Sequence, residues 1–333
     1  MSRDYFRSIA AKATSALEYP EKALRHGPYM LNDKCAVSLV RCKDRIKGLT
    51  TALTSLGGME KVVDGRDGYV LVKPNCNSDD PFPASTHPDT LRFVLKELLR
   101  LGVPEEDIVV GDMSGPIWQP TRDTMLKNEI AGVAKEFNVP ISYFDEEEWV
   151  HIRPQKARTW PDGFRIAKTV YNASKIISLP VLKTHQYGGV FTLSLKNSVG
   201  TVNPADRSFF HRSPNMRNLI AELNLGYSTD LVILDGMKCF VTGGPATGTC
   251  KESEVIIAGS DRVAVDAVGV SILKFHNADG IKDVPVKDHE QIKRASEIGI
   301  GNADYSNMII KESDLVGDNG FKEMVQFVKN QLI

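Results

Sequence analysis

None of the five cysteines, Cys35, Cys42, Cys76, Cys239 and Cys250, stands in a C-x-x-C pair. That excludes a zinc ribbon and a ferredoxin-type cluster motif. The N-terminus, Met1-Ser-Arg-Asp-Tyr-Phe-Arg7, carries no apolar signal core. With an odd number of thiols, this favours free cysteines and a cytoplasmic protein. No window approaches the ~18 uninterrupted apolar residues of a membrane span. Net charge is missing too: 41 Lys and Arg against 42 Asp and Glu give -1. A balance this even gives no basic field to attract nucleic acid. There is no H-x-x-x-H spacing, no G-x-x-x-x-G-K-[ST] loop and no internal repeat of fixed period.

What is present is an ordinary globular composition, 42% hydrophobic and 25% charged over 333 residues. It can bury one large α/β domain or two lobes. The most informative stretch runs from Ile176 to Gly200. The apolar pair Ile176-Ile177 has the form of a buried strand, and Lys183, Thr184 and His185 stand where such a strand would end. Gly188 and Gly189 follow, then an apolar-periodic segment carrying Lys196 and Asn197. In open α/β sheets, ligands bind outside the carboxyl ends of the strands.

The rest of the chain supplies the frame. Cys35–Val40, Gly68–Asn75, Asp107–Pro116 and Pro140–Phe144 read as strands, and Lys43–Leu56, Pro88–Leu101 and Thr121–Phe137 as helices between them. Gly57-Gly58 reads as a helix C-cap. Further on, Asp230–Gly236 and Glu254–Asp261 read as strands. Asn215–Leu225, Arg262–Phe275, Lys287–Ile298 and Phe321–Leu332 read as helices. This alternation predicts an α/β fold, a mostly parallel sheet flanked by helices, arranged as two lobes with the site between them. The expected division is an N-terminal helical arm over residues 1–34, with a helical stretch from Ser8 to Leu17, a first lobe over 35–150 and a second over 151–333. The arm would pack on the body or on a second subunit.

Candidate site residues follow from position and type. Lys183 and Lys196 suit anion binding, or base or Schiff-base chemistry if burial lowers their pKa. His185 and His211 suit proton transfer or metal ligation. Asp112 and Asp235 end predicted strands and join the two histidines as metal candidates, with His87 of the same kind, although Asp235-Gly236 is equally ordinary turn chemistry. The Gly-rich loop around Gly244 would cradle a phosphate through backbone N–H groups. Arg207 and Arg212 suit a carboxylate or phosphate. Cys76 follows Lys73-Pro-Asn75 directly, and a buried inert thiol is its default reading. Asp261 and Asp266 read as cap and packing residues.

Lys73-Pro-Asn75, Leu182-Lys-Thr-His185, Thr192-Leu-Ser-Leu-Lys-Asn197, Gly200, His211, Asp235, Gly244-Pro245 and Ser260-Asp-Arg-Val-Ala-Val-Asp266 together resemble the DUF362 domain. This is a domain of unknown function, found alone or fused to ferredoxin-like iron–sulfur modules. The resemblance runs from about residue 36 to about 301, but the cysteine clusters of the iron–sulfur members are absent. At the level of architecture alone, the chain is also similar to the lactate racemase group, which carries a nickel pincer nucleotide, and no residue role is transferred from it.

The expected function is an enzyme on a small anionic substrate, carboxylate or phosphate, or on one held by an anionic cofactor, with proton-transfer or redox chemistry. Lys183, His185 and His211 would be catalytic. Lys73, Asn75, Lys196, Asn197 and Gly244 would hold the cofactor or anion. The alternative is a non-catalytic cofactor- or metal-binding module acting with an electron-transfer partner. A homodimer or a redox partner protein fits either reading.

Overall fold

The computed structural model describes residues 7–9, 11, 16–115 and 119–333. Half of the helix expected from Ser8 to Leu17, residues 10 and 12–15, and Pro116 of the exit turn lie outside the described residues. The strands, in chain order, are β1 (Leu17–Glu18), β2 (Met30–Leu31), β3 (Lys34–Arg41), β4 (Val70–Pro74), β5 (Ile108–Asp112), β6 (Ile141–Tyr143), β7 (Trp149–Ile152), β8 (Phe164–Ala167), β9 (Lys175–Leu179), β10 (Val181–His185), β11 (Val190–Thr192), β12 (Leu231–Phe240), β13 (Cys250–Gly259) and β14 (Met308–Asp314).

The main sheet has the order β14-β3-β13-β12-β9-β4-β5-β6, with β10 beside β12, β11 beside β10 and β2 beside β3. The run β12-β9-β4-β5-β6 is parallel, and β13 is antiparallel to both of its neighbours. The fold is therefore mixed α/β and mostly parallel. Strands from before and after residue 150 are hydrogen-bonded to one another in this one sheet. Part of the N-terminal segment packs on its own chain: β1 pairs with β7 in a small second sheet, and Arg25 pairs with Asp230 at 3.1 Å.

Side chains alternate between the faces of a strand, and both faces here are covered. Leu71, Val232 and Leu234 point into one apolar core, with helices Arg262–Phe275 and Gly320–Gln331; Val70, Val72, Leu231 and Ile233 point into the other, with Arg45–Leu56 and Pro88–Arg100. This double burial is why the strands read as near-continuous apolar runs. Local chemistry sets the helix ends. Asp44 and Asp261 accept N-cap hydrogen bonds, and Gly57, at φ 93°, closes Arg45–Leu56 as expected.

Three expected elements differ. The helix expected over 121–137 is two, Thr121–Lys127 and Ile130–Glu136, because Glu129 takes φ 67° between them. The segment around Arg207, read as polar connection, is a helix, Pro204–Arg212, capped by Asn203. The strand expected to stop at Gly236 runs on to Phe240, its register against β13 shifting between Gly236 and Lys238.

One break in the sheet makes room for a site. β9 pairs with β4 as far as Leu179 opposite Pro74. Pro180 follows, and β10 beyond it pairs only with β12 and β11. The carboxyl ends of β4 and β5 and the side of β10 are thereby left facing a gap.

Candidate functional site

A cavity of about 560 Å³ occupies that gap. Asn75 and Asp112 reach it from the ends of β4 and β5. Lys183 and His185 come from β10, two residues apart and so on one face. Thr192, opposite Lys183 in the β10–β11 ladder, stands beside them. Lys196 and Asn197 come from the short helix Ser194–Asn197. Arg207 and His211, four residues apart, come from one face of Pro204–Arg212.

A buried polar network underlies the cavity. Lys73, 1% exposed, donates to Asp112 at 2.7 Å, to the Asn197 side-chain oxygen at 3.2 Å and to the Pro74 carbonyl at 3.1 Å. The other Asp112 oxygen accepts the Cys76 backbone N–H at 2.6 Å. Asn197 Oδ1 also accepts from Asn75 Nδ2 at 3.2 Å, and Asn197 Nδ2 donates to Ser178. Asn75 Oδ1 in turn accepts from Lys183 at 3.1 Å. Gly200 permits this packing, since a Cβ there would lie 2.1 Å from Asp112 Oδ1 and 2.8 Å from Lys73 Nζ.

The two cavity lysines differ in their surroundings. Lys183 Nζ is enclosed by three neutral acceptors, Asn75 Oδ1, the Ala84 carbonyl and the Pro245 carbonyl. An ammonium has three N–H donors, and all three are matched. Lys196 is also buried, at 8% exposed, but makes no hydrogen bond or ion pair among the described residues. Burial, and for each a neighbouring cation, lowers both to about 7: Lys196 acts on Lys183, and Arg207 on Lys196. For Lys183 the three acceptors oppose that fall, because hydrogen bonds to a charged form favour it. For Lys196 nothing opposes it.

Arg207 is fixed by the Ser114 carbonyl at 2.6 Å and the Met113 carbonyl at 3.4 Å, while its buried Nε lacks a partner. His185 Nδ1 and Thr192 Oγ1 are also buried without partners. Burial, then Lys196 and Lys183, push His185 far below its ordinary value. His211 stands at the rim with its outer side exposed, and burial of its inner side, with Lys196 and Arg207 nearby, lowers it to about 4. Both shifts favour the neutral imidazole at pH 7. Gly189 backs this group: a Cβ there would meet Lys196 Cε at 2.7 Å and His185 Nδ1 at 3.1 Å.

Of the residues picked out in the sequence, Lys183, His185, His211, Asn75, Lys196, Asn197 and Asp112 line the cavity, and Lys73 lies just beneath it. Gly244 is adjacent but offers no free N–H, which it donates to Thr247 at 2.7 Å; Pro245 lines the wall instead. Asp235 is elsewhere. It sits mid-strand and holds Arg45 at 2.9 Å and Thr90 at 2.6 Å. His87 caps helix Pro88–Arg100 through its Nδ1. Among the described residues, no group of three or more His, Cys, Asp or Glu side chains is placed to hold a metal. Cys76 is fully buried, its thiol raised by burial and by Asp112. Thr192 and Asp80 also line the cavity without having been singled out. Asp266 holds the short helix in place, accepting the N–H groups of Ser194 at 2.7 Å and Leu195 at 2.9 Å.

A family model described as a domain of unknown function (DUF362) matches residues 70–271. A thylakoid-associated protein of Synechocystis sp. (strain PCC 6803) is 27% identical over 258 residues, covering 73% of this chain and 76% of that protein. Among solved structures, the lactate racemase apoprotein of Thermoanaerobacterium thermosaccharolyticum matches with a TM-score of 0.45 and 11% identity, over 94% of this chain and 90% of that one. No helix among the described residues is long and apolar enough to cross a membrane.

Proposed function

We propose that this chain, which belongs to the DUF362 family, is an enzyme that binds a small carboxylate or phosphate compound in the cavity and moves a proton on it, with Lys196 as the base. The observation that carries this is the Lys196 amine, buried, unpaired and facing the cavity. A group of this kind is costly to keep unless a ligand answers it. Its value of about 7 suits a base at neutral pH.

The other roles follow from the same geometry. Lys183, fixed by three acceptors, and Arg207, held at two carbonyls, supply positive charge to an anionic group. Neutral His185 lines the cavity and can hydrogen-bond a ligand there, and His211 stands where protons would pass to solvent. The depth of the cluster favours an enzyme over a docking module, since the cations lie on the cavity floor rather than on a face a protein partner could reach. The ligand is then a free small molecule rather than a protein partner.

Titration calorimetry with short carboxylates and inorganic phosphate tests the binding step. Proton NMR in D₂O, following exchange of the hydrogen next to the carboxylate, tests the chemistry. Saturable binding that weakens at least ten-fold in Lys196→Met, with exchange seen only in wild type, is the expected result. Wild-type protein that binds none of these anions at millimolar concentration would sink the reading.

A further inference from the structure

We infer that Lys196 also acts as a nucleophile, forming a Schiff base with a carbonyl compound that carries a carboxylate, the class of the 2-oxo acids. The inference rests on the anion-binding reading of the same cavity and adds a covalent step to it. Three features of the geometry point to it. The amine has no acceptor around it, so its lone pair is free to attack. Gly189 lets the Lys196 stem pack close against the backbone, where a Cβ would lie 2.7 Å from Cε, and so seats the amine at the cavity. Two unpartnered polar atoms, His185 Nδ1 and Thr192 Oγ1, belong to residues lining the same cavity, and the Arg207 guanidinium in the same lining supplies charge for a carboxylate.

The step balances without an outside reagent. The neutral amine attacks the carbonyl carbon, a C–N bond forms, and the C=O pair moves to oxygen, which takes up a proton as nitrogen loses one. The carbinolamine then expels its hydroxyl with a proton as water while nitrogen's lone pair closes the C=N bond. The net change is amine plus carbonyl to imine plus water. The protons that oxygen takes up are those that nitrogen gives up, so none is drawn from outside. A lysine amine near neutral pKa is present as free base in useful amount at pH 7, unlike a solvent-exposed one. Lys183 cannot take this part, since its donors are already committed to Asn75, Ala84 and Pro245.

The test uses the full chain with pyruvate and 2-oxoglutarate, each followed by sodium borohydride, intact-mass measurement and peptide mapping. Calorimetry with the same acids runs in parallel. The expected result is one stable reduced adduct per chain, mapped to Lys196. The adduct should be absent in Lys196→Arg, which keeps a cation for anion binding. Binding of the acids with no adduct, or adducts only at other lysines, overturns the Schiff base and leaves the anion reading standing. Failure of the acids to bind at all removes both. Mapping on wild-type protein needs no variant to fold.

Discussion

Lys183 and Lys196 are both buried, yet their amines meet different neighbours, and substitution separates them. Lys183→Met strands three acceptors, Asn75 Oδ1 and the carbonyls of Ala84 and Pro245. A loss of about 2–5 kcal/mol in urea unfolding is expected. Lys196→Met strands nothing and removes a buried amine without a partner, so stability should hold or rise, by about 1–3 kcal/mol, while anion binding weakens and proton exchange is lost. If the two variants lose stability equally, the assignment of free and committed lysines is wrong. Both lysines are visible in the sequence as strong candidates. Which of them is free is not, because the three acceptors that occupy Lys183 lie 108, 99 and 62 residues away along the chain. Asp235 shows the same limit from the other side. Its place before a glycine suggests a strand end, and only the ladder with β13 reveals that the strand continues and that Arg45 holds the carboxylate.

Among elements, the unit that matters is β10, the glycine turn, β11 and the four-residue helix Ser194–Asn197. A helix of one turn has little stability of its own; its first N–H groups are held by Asp266 from helix Arg262–Phe275. Asp266→Asn keeps one acceptor and loses the other. It should cost about 1–2 kcal/mol and weaken anion binding more than it changes the melting temperature, as read by calorimetry beside thermal unfolding. Gly189→Ala should act on function with little change in stability. Its methyl would meet the flexible end of Lys196 rather than backbone, displacing the amine. The order and type of most elements were readable, since apolar runs between capped helices mark a covered parallel sheet. Helix Pro204–Arg212 was hidden because its mean composition is polar and it lies between Asn203-Pro204 and Ser213-Pro214. Its buried face, Arg207 and Phe210, answers to the site and to the core rather than to a long apolar stripe.

At the scale of the whole molecule, buried cations tie stability to pH. Lys196 keeps its proton up to about 10.5 in an unfolded chain and gives it up near 7 in the folded one. Between these values the unfolded state holds more protons, so stability rises with pH, at about 1.4 kcal/mol per pH unit for one such proton. Melting of wild type and Lys196→Met from pH 7 to 9.5 should show the variant's advantage greatest at pH 7 and shrinking above it. His185, whose folded value lies far below 6.5, works at the acid end: below pH 6.5 the unfolded chain takes up a proton that the folded one refuses, and stability falls. The sheet that hosts these charges draws strands from both halves of the chain, β3 beside β13 and β4 beside β9. That interleaving follows from crossover connections, which leave no local mark in the sequence.

The unanswered amine of Lys196 has a further consequence for work at the bench. A buried cavity with positive charge and spare donors will take whatever anion the solvent offers, so chloride, acetate and phosphate become competitors rather than bystanders. Apparent dissociation constants for the natural ligand should climb in proportion to added phosphate once that ion is near its own saturation. A ligand search run in phosphate-buffered saline would pass over weak binders that a search in a bulky zwitterionic buffer would catch.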